Sequence, residues 1–359
     1  MYPTKKEITL SAFVQKIYKF CKEMTNRGHT VYHYGHPDSE VECSKHFDVI
    51  SLETYEKEFK NQKWQDLLSE KTDTPVHREF NKKAAKAINE ISNEDDFVLA
   101  FWGHGHRECC EAVKKGIIVE ASIGYDSFFA ENRVFESYAQ LHKINGIKTY
   151  PKLTDVVIAP GFEKEDFTFE KDKDDYLLYL GRMTELKGTR IAQQMAQASR
   201  TKIKFVGPQI MKNNLDKSCR YSEFINTVSL EERSKLLSKA KALIMPSLYA
   251  EPCGWVMIEA FLSGTPVVST DWGGMSEYNL HGVTGFRCHS ANDFFHAISN
   301  LHTISSEMCR TYAENFFSIK RMCDQYENYF KMLRDGISKI QPTPNFPCAK
   351  FPVFEKKLD

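Results

Sequence analysis

Between Tyr176 and Ser269 the chain alternates short apolar runs with helix-like stretches, and no other feature constrains the fold class as tightly. Tyr176–Leu180, 202–206, 242–245 and 265–269 read as strands, and 188–199, 230–240 and 254–262 as helices. Strands interleaved with helices argue for a doubly wound parallel sheet. The amino-terminal half repeats the theme. Leu10, Phe13, Val14, Ile17, Cys21 and Met24 fall at steps of three and four, the apolar stripe of an amphipathic helix that stops at Arg27-Gly28-His29. A strand at Thr30–Tyr34 follows, then a helix at 76–91, a strand at 97–102, a helix at 106–114 and a strand at 117–121. The charged run 162–175 is the expected connection between two domains, 1–162 and 163–317. Residues 291–301 and 305–335 read as helical, and 318–340 is expected to cross back onto the first domain. The tail from Gln341, with prolines at 342, 344, 347 and 352, reads as irregular.

One element is missing from this pattern. A Rossmann-like half opens with a strand that feeds the turn before its first helix, and Met1–Thr4 is too short to supply it. Either the sequence starts downstream of the natural start, or the amino-terminal sheet lacks that strand and shows a gap or a replacement beside 30–34.

Length and charge limit the partners. At 359 residues, two domains are the natural division. The 48 basic and 48 acidic residues cancel, so no global field draws the chain to nucleic acid or an anionic membrane. The ten cysteines include no C-x-x-C pair, only the adjacent Cys109–Cys110, which reads as reduced and intracellular. No apolar run approaches a membrane span. The expectation is a soluble, cytoplasmic protein, with attachment to a membrane surface left open.

Three segments carry chemistry. In Glu251-Pro252-Cys253-Gly254-Trp255-Val256-Met257-Ile258-Glu259-Ala260, two glutamates lie eight apart, the first in a turn and the second just over one turn into a helix. Gly254 permits close approach to the backbone, the helix start offers N–H groups, and a carboxylate at 259 can accept from a diol. The bland alternative has Glu251 capping the helix and Glu259 solvated. Gly181-Arg182-Met183-Thr184-Glu185-Leu186-Lys187-Gly188 sets two cations on a strand-to-helix loop, as a diphosphate requires, or forms a solvated basic turn. Gly273 and Gly274 follow the strand at 265–269, suiting backbone contact with a ligand or a simple turn. His281–Phe286 reads as a structural turn.

Other candidates are weaker. His104 and His106 follow an apolar strand and suit a cleft position or an ordinary loop; a metal role lacks a third ligand. Asp172-Lys173-Asp174 matches an acidic metal-binding pattern but lies in the charged connector and reads as solvated. Tyr125, Arg133, Phe135, Glu136 and Tyr138 either shape an acceptor face or form a packed, partly exposed helix. Cys109 and Cys110 read as buried helix residues rather than nucleophiles.

The succession G-R-x(4)-K-G at 181–188, P-S-x-x-x-E-P-x-G-x-x-x-x-E-A at 246–260, G-T-P-V-V at 264–268, G-G-x-x-E at 273–277 and G-x-T-G at 282–285 resembles the family 4 glycosyltransferases. The likeness is close over 176–290 and looser in the amino-terminal half, where R-G-H-T-V-Y at 27–32 is similar to that family's first helix-to-strand junction. It implies a GT-B fold, two Rossmann-like domains facing a cleft, and retaining transfer from a nucleotide sugar to a sugar, glycan or glycoconjugate acceptor. It further implies that Arg182 and Lys187 hold the diphosphate, Glu259 the ribose, and Glu251 with backbone near 253–256 the sugar hydroxyls. The chain departs from the family in lacking the glycine-rich loop after a first strand and a histidine within 117–125.

The candidate catalytic set is therefore Glu251, Arg182, Lys187 and His104. The candidate donor-binding set is Gly181, Arg182, Lys187, Glu251, Cys253, Gly254, Trp255, Glu259, Gly273 and Gly274. No metal ligand and no cofactor beyond the nucleotide sugar is expected, since the two cations and helix N-termini offset the leaving-group charge. The alternatives are a non-catalytic nucleotide-sugar binding module and a GT-B phosphorylase or epimerase. A dinucleotide oxidoreductase is disfavoured because no G-x-G-x-x-G follows a strand.

Overall fold

The computed structural model describes residues 2–8, 11–60, 72–148, 151–208 and 215–335. Leu10, Met1 and the proline-bearing tail lie outside the described residues. The amino-terminal elements are α1 (Ala12–Asn26), β1 (Tyr32–Gly35), β2 (Lys45–Asp48), α2 (Leu52–Phe59), α3 (Pro75–Ile91), β3 (Phe97–Ala100), α4 (Arg107–Ala112), β4 (Ile117–Ile123), β5 (Asn132–Phe135), α5 (Tyr138–Lys148) and β6 (Val156–Val157). Ser11 starts α1 by accepting the Val14 N–H, and Gly28, at φ 87°, turns the chain out of it.

The carboxyl-terminal elements are β7 (Tyr176–Leu180), α6 (Thr189–Ser199), β8 (Lys202–Val206), β9 (Ser222–Ile225), α7 (Leu230–Lys239), β10 (Ala242–Met245), α8 (Trp255–Leu262), β11 (Val267–Thr270), α9 (Gly274–Tyr278), β12 (Gly285–Cys288), α10 (Ala291–Ser299), α11 (Ser306–Phe316) and α12 (Ile319–Asp335). Its sheet is parallel throughout, in the order β12-β11-β10-β7-β8-β9. That is the doubly wound order, reversing between β7 and β10. Separate apolar clusters cover its two faces. Leu178, Leu243 and Val267 point to one, and Leu177, Ile244 and Val268 to the other. Strands buried on both faces read as continuous apolar runs, which is why this half was legible.

The amino-terminal sheet is split. Among the described residues β1 pairs only with β2, and β3-β4-β5-β6 form a second parallel set. Between β1 and β3 runs an apolar slot of about 570 Å³, lined by Phe20 and Met24 of α1, Phe80 and Ala84 of α3, and residues of both strands. This is where the opening strand of a Rossmann-like half would lie. Tyr2–Thr4 do not enter it. They pass the carboxyl end of β1, where the Thr4 carbonyl accepts from the Glu40 N–H at 2.9 Å.

The helical stretch 305–335 is two helices, α11 and α12. The break at Phe317-Ser318 is where the chain leaves the carboxyl-terminal domain. The Phe162 N–H donates to the Phe317 carbonyl at 2.8 Å and the Ile319 N–H to the Phe162 carbonyl at 3.0 Å, so both crossings between domains run side by side. A Cβ on Gly161 would stand 2.8 Å from the Ile319 Cα, so only glycine allows this approach. Beyond the break, Cys323, Tyr326 and Tyr329 of α12 pack with Phe20 and Met24 of α1. No helix among the described residues is long and apolar enough to cross a membrane.

Burial pushes the amino-terminal imidazoles down, to about 3 at His33 and about 4 at His77 and His106. The unfolded chain, titrating near 6.5, then binds more protons than the folded one. Stability is complete above pH 6.5 and falls as the pH drops toward 4. We expect His33 and His77, both almost fully buried, to cost up to about 2 kcal/mol each at pH 5. Thermal unfolding at pH 7.5 and 5.0 checks this: His33→Phe should shrink the drop in midpoint, and a pH-independent midpoint would contradict it.

Candidate functional site

The reversal of strand order between β7 and β10 opens a crevice at the carboxyl ends of those strands, where doubly wound sheets bind ligands. The loop after β7 carries Gly181, Arg182 and Lys187; the loop after β10 carries Ser247, Tyr249 and Glu251. They meet at one carboxylate. Lys187 Nζ lies 2.5 Å from Glu251 Oε1, the Ser247 hydroxyl donates to the same oxygen at 2.7 Å, and the Tyr249 hydroxyl donates to Oε2 at 2.6 Å. Lys187 Nζ also stands 5.1 Å from the centre of the Tyr249 ring. Glu251 is 5 % exposed and is not the helix cap; that place is taken by Gly254, at φ 82°. Arg182 is exposed on the same loop, its carbonyl accepting from the Tyr179 hydroxyl at 2.9 Å. Burial pushes the Tyr249 hydroxyl up, Glu251 adds to this, and the Arg182 charge opposes it, so the guanidinium acts on this cluster.

Glu259 is also engaged rather than solvated. It is 9 % exposed, and Arg233 of α7 grips its Oε2, with Nε at 2.8 Å. Sequence reasoning missed Arg233, Ser247 and Tyr249. Only Tyr249 and Ser247 had a local signal, lying two and four residues before Glu251.

The glycines divide by cause. Gly181 has nothing within 4 Å of where a Cβ would stand, leaving its surface open. Gly273 and Gly274 are accounted for by packing. A Cβ on Gly273 would stand 2.6 Å from the Glu251 nitrogen and oxygen, and one on Gly274 2.6 Å from the Cys253 Cα. The Gly274 N–H donates to the Glu251 carbonyl at 2.7 Å, so the two loops form one block.

The remaining candidates divide between core, domain boundary and surface. The Cys253 side chain is buried in the core, its thiol pushed well above its ordinary value by burial. Trp255 donates its indole N–H to Glu136 of the other domain at 3.2 Å. His104 is exposed after β3, its ring 6.3 Å from that of Phe129; His106 stacks on Phe80 beside the apolar slot. Arg133 and Phe135 are core, with Arg133 Nε bound to Asp155 at 2.6 Å, and the Tyr125 hydroxyl donates to the buried Glu120. Cys109 and Cys110 are buried, and burial pushes the Cys109 thiol up to about 12. Asp172 and Asp174 are exposed, while Lys173 between them turns inward to the Ser238 and Ser263 carbonyls. His281–Phe286 is a turn that runs into β12.

Residues 174–303 match the family described as Glycosyl transferases group 1. That segment holds the whole of the crevice just described. Over 132 residues the chain is 30% identical to an uncharacterised glycosyltransferase of Methanocaldococcus jannaschii, covering 34% of each. Over 135 residues it is 28% identical to the N-acetyl-alpha-D-glucosaminyl L-malate synthase of Bacillus anthracis, covering 33% of this chain and 35% of that one. The match thus spans about a third of these curated relatives. Across 91% of the chain the fold is that of solved GT-B proteins. A glycosyltransferase involved in avilamycin A biosynthesis superposes with a TM-score of 0.69 at 18% identity, covering 91% of both chains. The Anabaena protein HepE, solved with UDP and glucose, superposes with a TM-score of 0.65 at 14% identity, covering 91% of this chain and 98% of its own.

Gly188 is the structural keystone of the β7 loop. It sits at φ 68°, and a Cβ there would lie 1.9 Å from the Pro246 carbonyl oxygen. Left-handed strain and overpacking add, so Gly188→Ala should cost about 3 kcal/mol or more. Urea unfolding measures this, and a loss under about 1 kcal/mol, the cost of an unstrained glycine change, would contradict it.

Proposed function

We propose that the chain is a glycosyltransferase that moves a sugar from a nucleoside diphosphate sugar to an acceptor hydroxyl, with retention of configuration and without a metal ion. The observation that carries this reading is the meeting of Lys187 and Glu251 at the switch point, from loops on either side of it. A diphosphate arriving at Gly181, Arg182 and Lys187 would compete with Glu251 for the Lys187 ammonium. The released carboxylate, still held by Ser247 and Tyr249, would accept from sugar hydroxyls. Phosphate binding would thereby prepare the sugar site. Glu259, oriented by Arg233, would accept from the ribose. Arg182 and Lys187 would stabilise the departing diphosphate, the place where charge develops. The family match over 174–303 and the UDP and glucose seen with HepE support a nucleotide-sugar donor. The acceptor, a sugar, glycan or glycoconjugate, would enter from the amino-terminal domain, where His104 is the exposed candidate.

The two glutamates separate under mutation. Glu259→Gln should weaken UDP or GDP and the matching nucleotide sugar alike, by about 10- to 150-fold, the loss of one charge-assisted hydrogen bond. Glu251→Gln should weaken only the nucleotide sugar, and should keep or tighten the free nucleotide because Lys187 loses its competitor. Calorimetry with both ligands decides, and equal losses of free nucleotide in both variants would contradict the division of roles.

Chelation tests the metal. Transfer should continue at an unchanged rate in EDTA. Loss restored by manganese would return attention to Asp172 and Asp174.

A further inference from the structure

Glu136 follows β5 at the boundary between the domains and is 3 % exposed. Its Oε1 lies 2.6 Å from Lys16 Nζ of α1 and accepts from the Ser122 hydroxyl at 2.9 Å and from the Trp255 indole N–H at 3.2 Å. Lys16, 7 % exposed, also donates to the Ser122 carbonyl at 2.9 Å. Ser122 is one of three described non-glycine residues at positive φ, 54°, so strained backbone is held at this carboxylate. Trp255 is the first residue of α8, the helix that carries Glu259. Its ring lies 5.0 Å from that of Phe162, at the crossing between domains.

Three further bonds join the same short segment to the donor block. The Ser137 hydroxyl donates to the Pro252 carbonyl at 2.5 Å, the Tyr278 hydroxyl donates to the Glu136 carbonyl at 2.6 Å, and the Ala139 N–H donates to Glu277 Oε2 at 3.2 Å. Residues 136–139 thus grip the 251–255 and 273–278 loops, which are themselves one block. A buried ion pair is weak evidence for stability, since an apolar pair of similar volume often serves as well. Its retention at a domain boundary, with one oxygen shared by donors from both domains, points to geometry instead.

We propose that Glu136 is a positioning residue: through Trp255 it fixes the first turn of α8 against the amino-terminal domain, so that donor sugar and acceptor face are held in register. The inference rests on the donor site proposed above. Glu136 itself contacts no substrate, so it acts on transfer and not on nucleotide affinity.

The test uses the full chain with UDP, GDP, UDP-glucose and GDP-mannose as probes. Glu136→Gln and Trp255→Phe should each leave the Kd for the free nucleotide within about 2-fold. Each should lower kcat by about 10- to 100-fold, the scale of a misplacement near 1 Å. Combined, they should cost no more than either alone. The double variant Lys16→Met with Glu136→Leu removes the ion pair together and should stay cooperatively folded, with a midpoint no lower than that of Glu136→Gln alone, while kcat stays low because the Trp255 N–H still lacks its acceptor. Wild-type kcat in that double variant, or nucleotide affinity falling in step with kcat, would overturn the proposal. Urea unfolding of the ligand-free variants gives a readout independent of catalysis. Non-additive losses in Glu136→Gln, Trp255→Phe and their combination support the clasp, and strictly additive losses overturn it. If wild-type protein binds and turns over none of the four probes, the donor-site reading fails, and the unfolding cycle still decides whether Glu136 acts through Trp255.

Discussion

The Lys187–Glu251 ion pair depends on strand order before it depends on either residue. The two positions are 64 residues apart in sequence, yet β7 and β10 are neighbours because the sheet reverses direction between them. That reversal leaves the loops after β7 and β10 with no crossover helix between them, so their side chains face the same crevice. The rest of the carboxyl-terminal domain fixes that meeting. Gly188 lets the β7 loop lie against Pro246, and Gly273 and Gly274 let the β11 loop lie against residues 250–253. Glu251 is thus held by three loops, none of which could approach so closely with larger residues at those glycines.

Much of the carboxyl-terminal domain was legible because its strands are apolar on both faces. β7 and β10 fall where continuous apolar runs place them, β8 falls at 202–206 despite its lysines at 202 and 204, and α8 opens at Gly254. β9 and β12 were missed for the same physical reason in reverse. Ser222–Ile225 and Gly285–Cys288 mix polar residues into the run, because β9 and β12 are the edge strands of the sheet and need less burial. In the amino-terminal half, β2 and β6 are short and partly exposed, and periodicity carries little signal over two to four residues.

The candidate site was legible in its charges and less so in its partners. Arg182 and Lys187 stand out as cations beside glycines on a strand-to-helix loop, and Glu251 and Glu259 as two carboxylates eight apart at a helix start. Arg233 does not stand out. It lies 26 residues before Glu259 in a helix rich in charge, and only the packing of α7 beside α8 brings the two together. The double glycine at 273–274 is ambiguous in a different way. Glycine marks close approach, but a sequence does not say whether the approaching group is a ligand or the chain itself. Trp255 looked like a donor contact for its place at a helix start, while its indole N–H points across the domain boundary to Glu136.

The slot between β1 and β3 sets a limit on the amino-terminal domain that the other half does not share. The slot opens to solvent and is not a sealed core cavity. The open edges of β1 and β3 offer backbone donors and acceptors, which allow water or another strand to occupy it. Either way, the side of this domain formed by β1, β2 and α3 is tied to the remainder mainly through helices. The contacts that set the cleft avoid that side. Residues 136–139 follow β5, which in sheet order stands two strands away from the β3 edge of the slot. α12 adds a second tie, packing its Cys323 and Tyr326 with Phe20, Val119 and Val134. The cleft is thus anchored to the continuous part of the amino-terminal sheet, while the slot is bordered by α1, by β3 at the edge of that sheet and by Phe330 of α12.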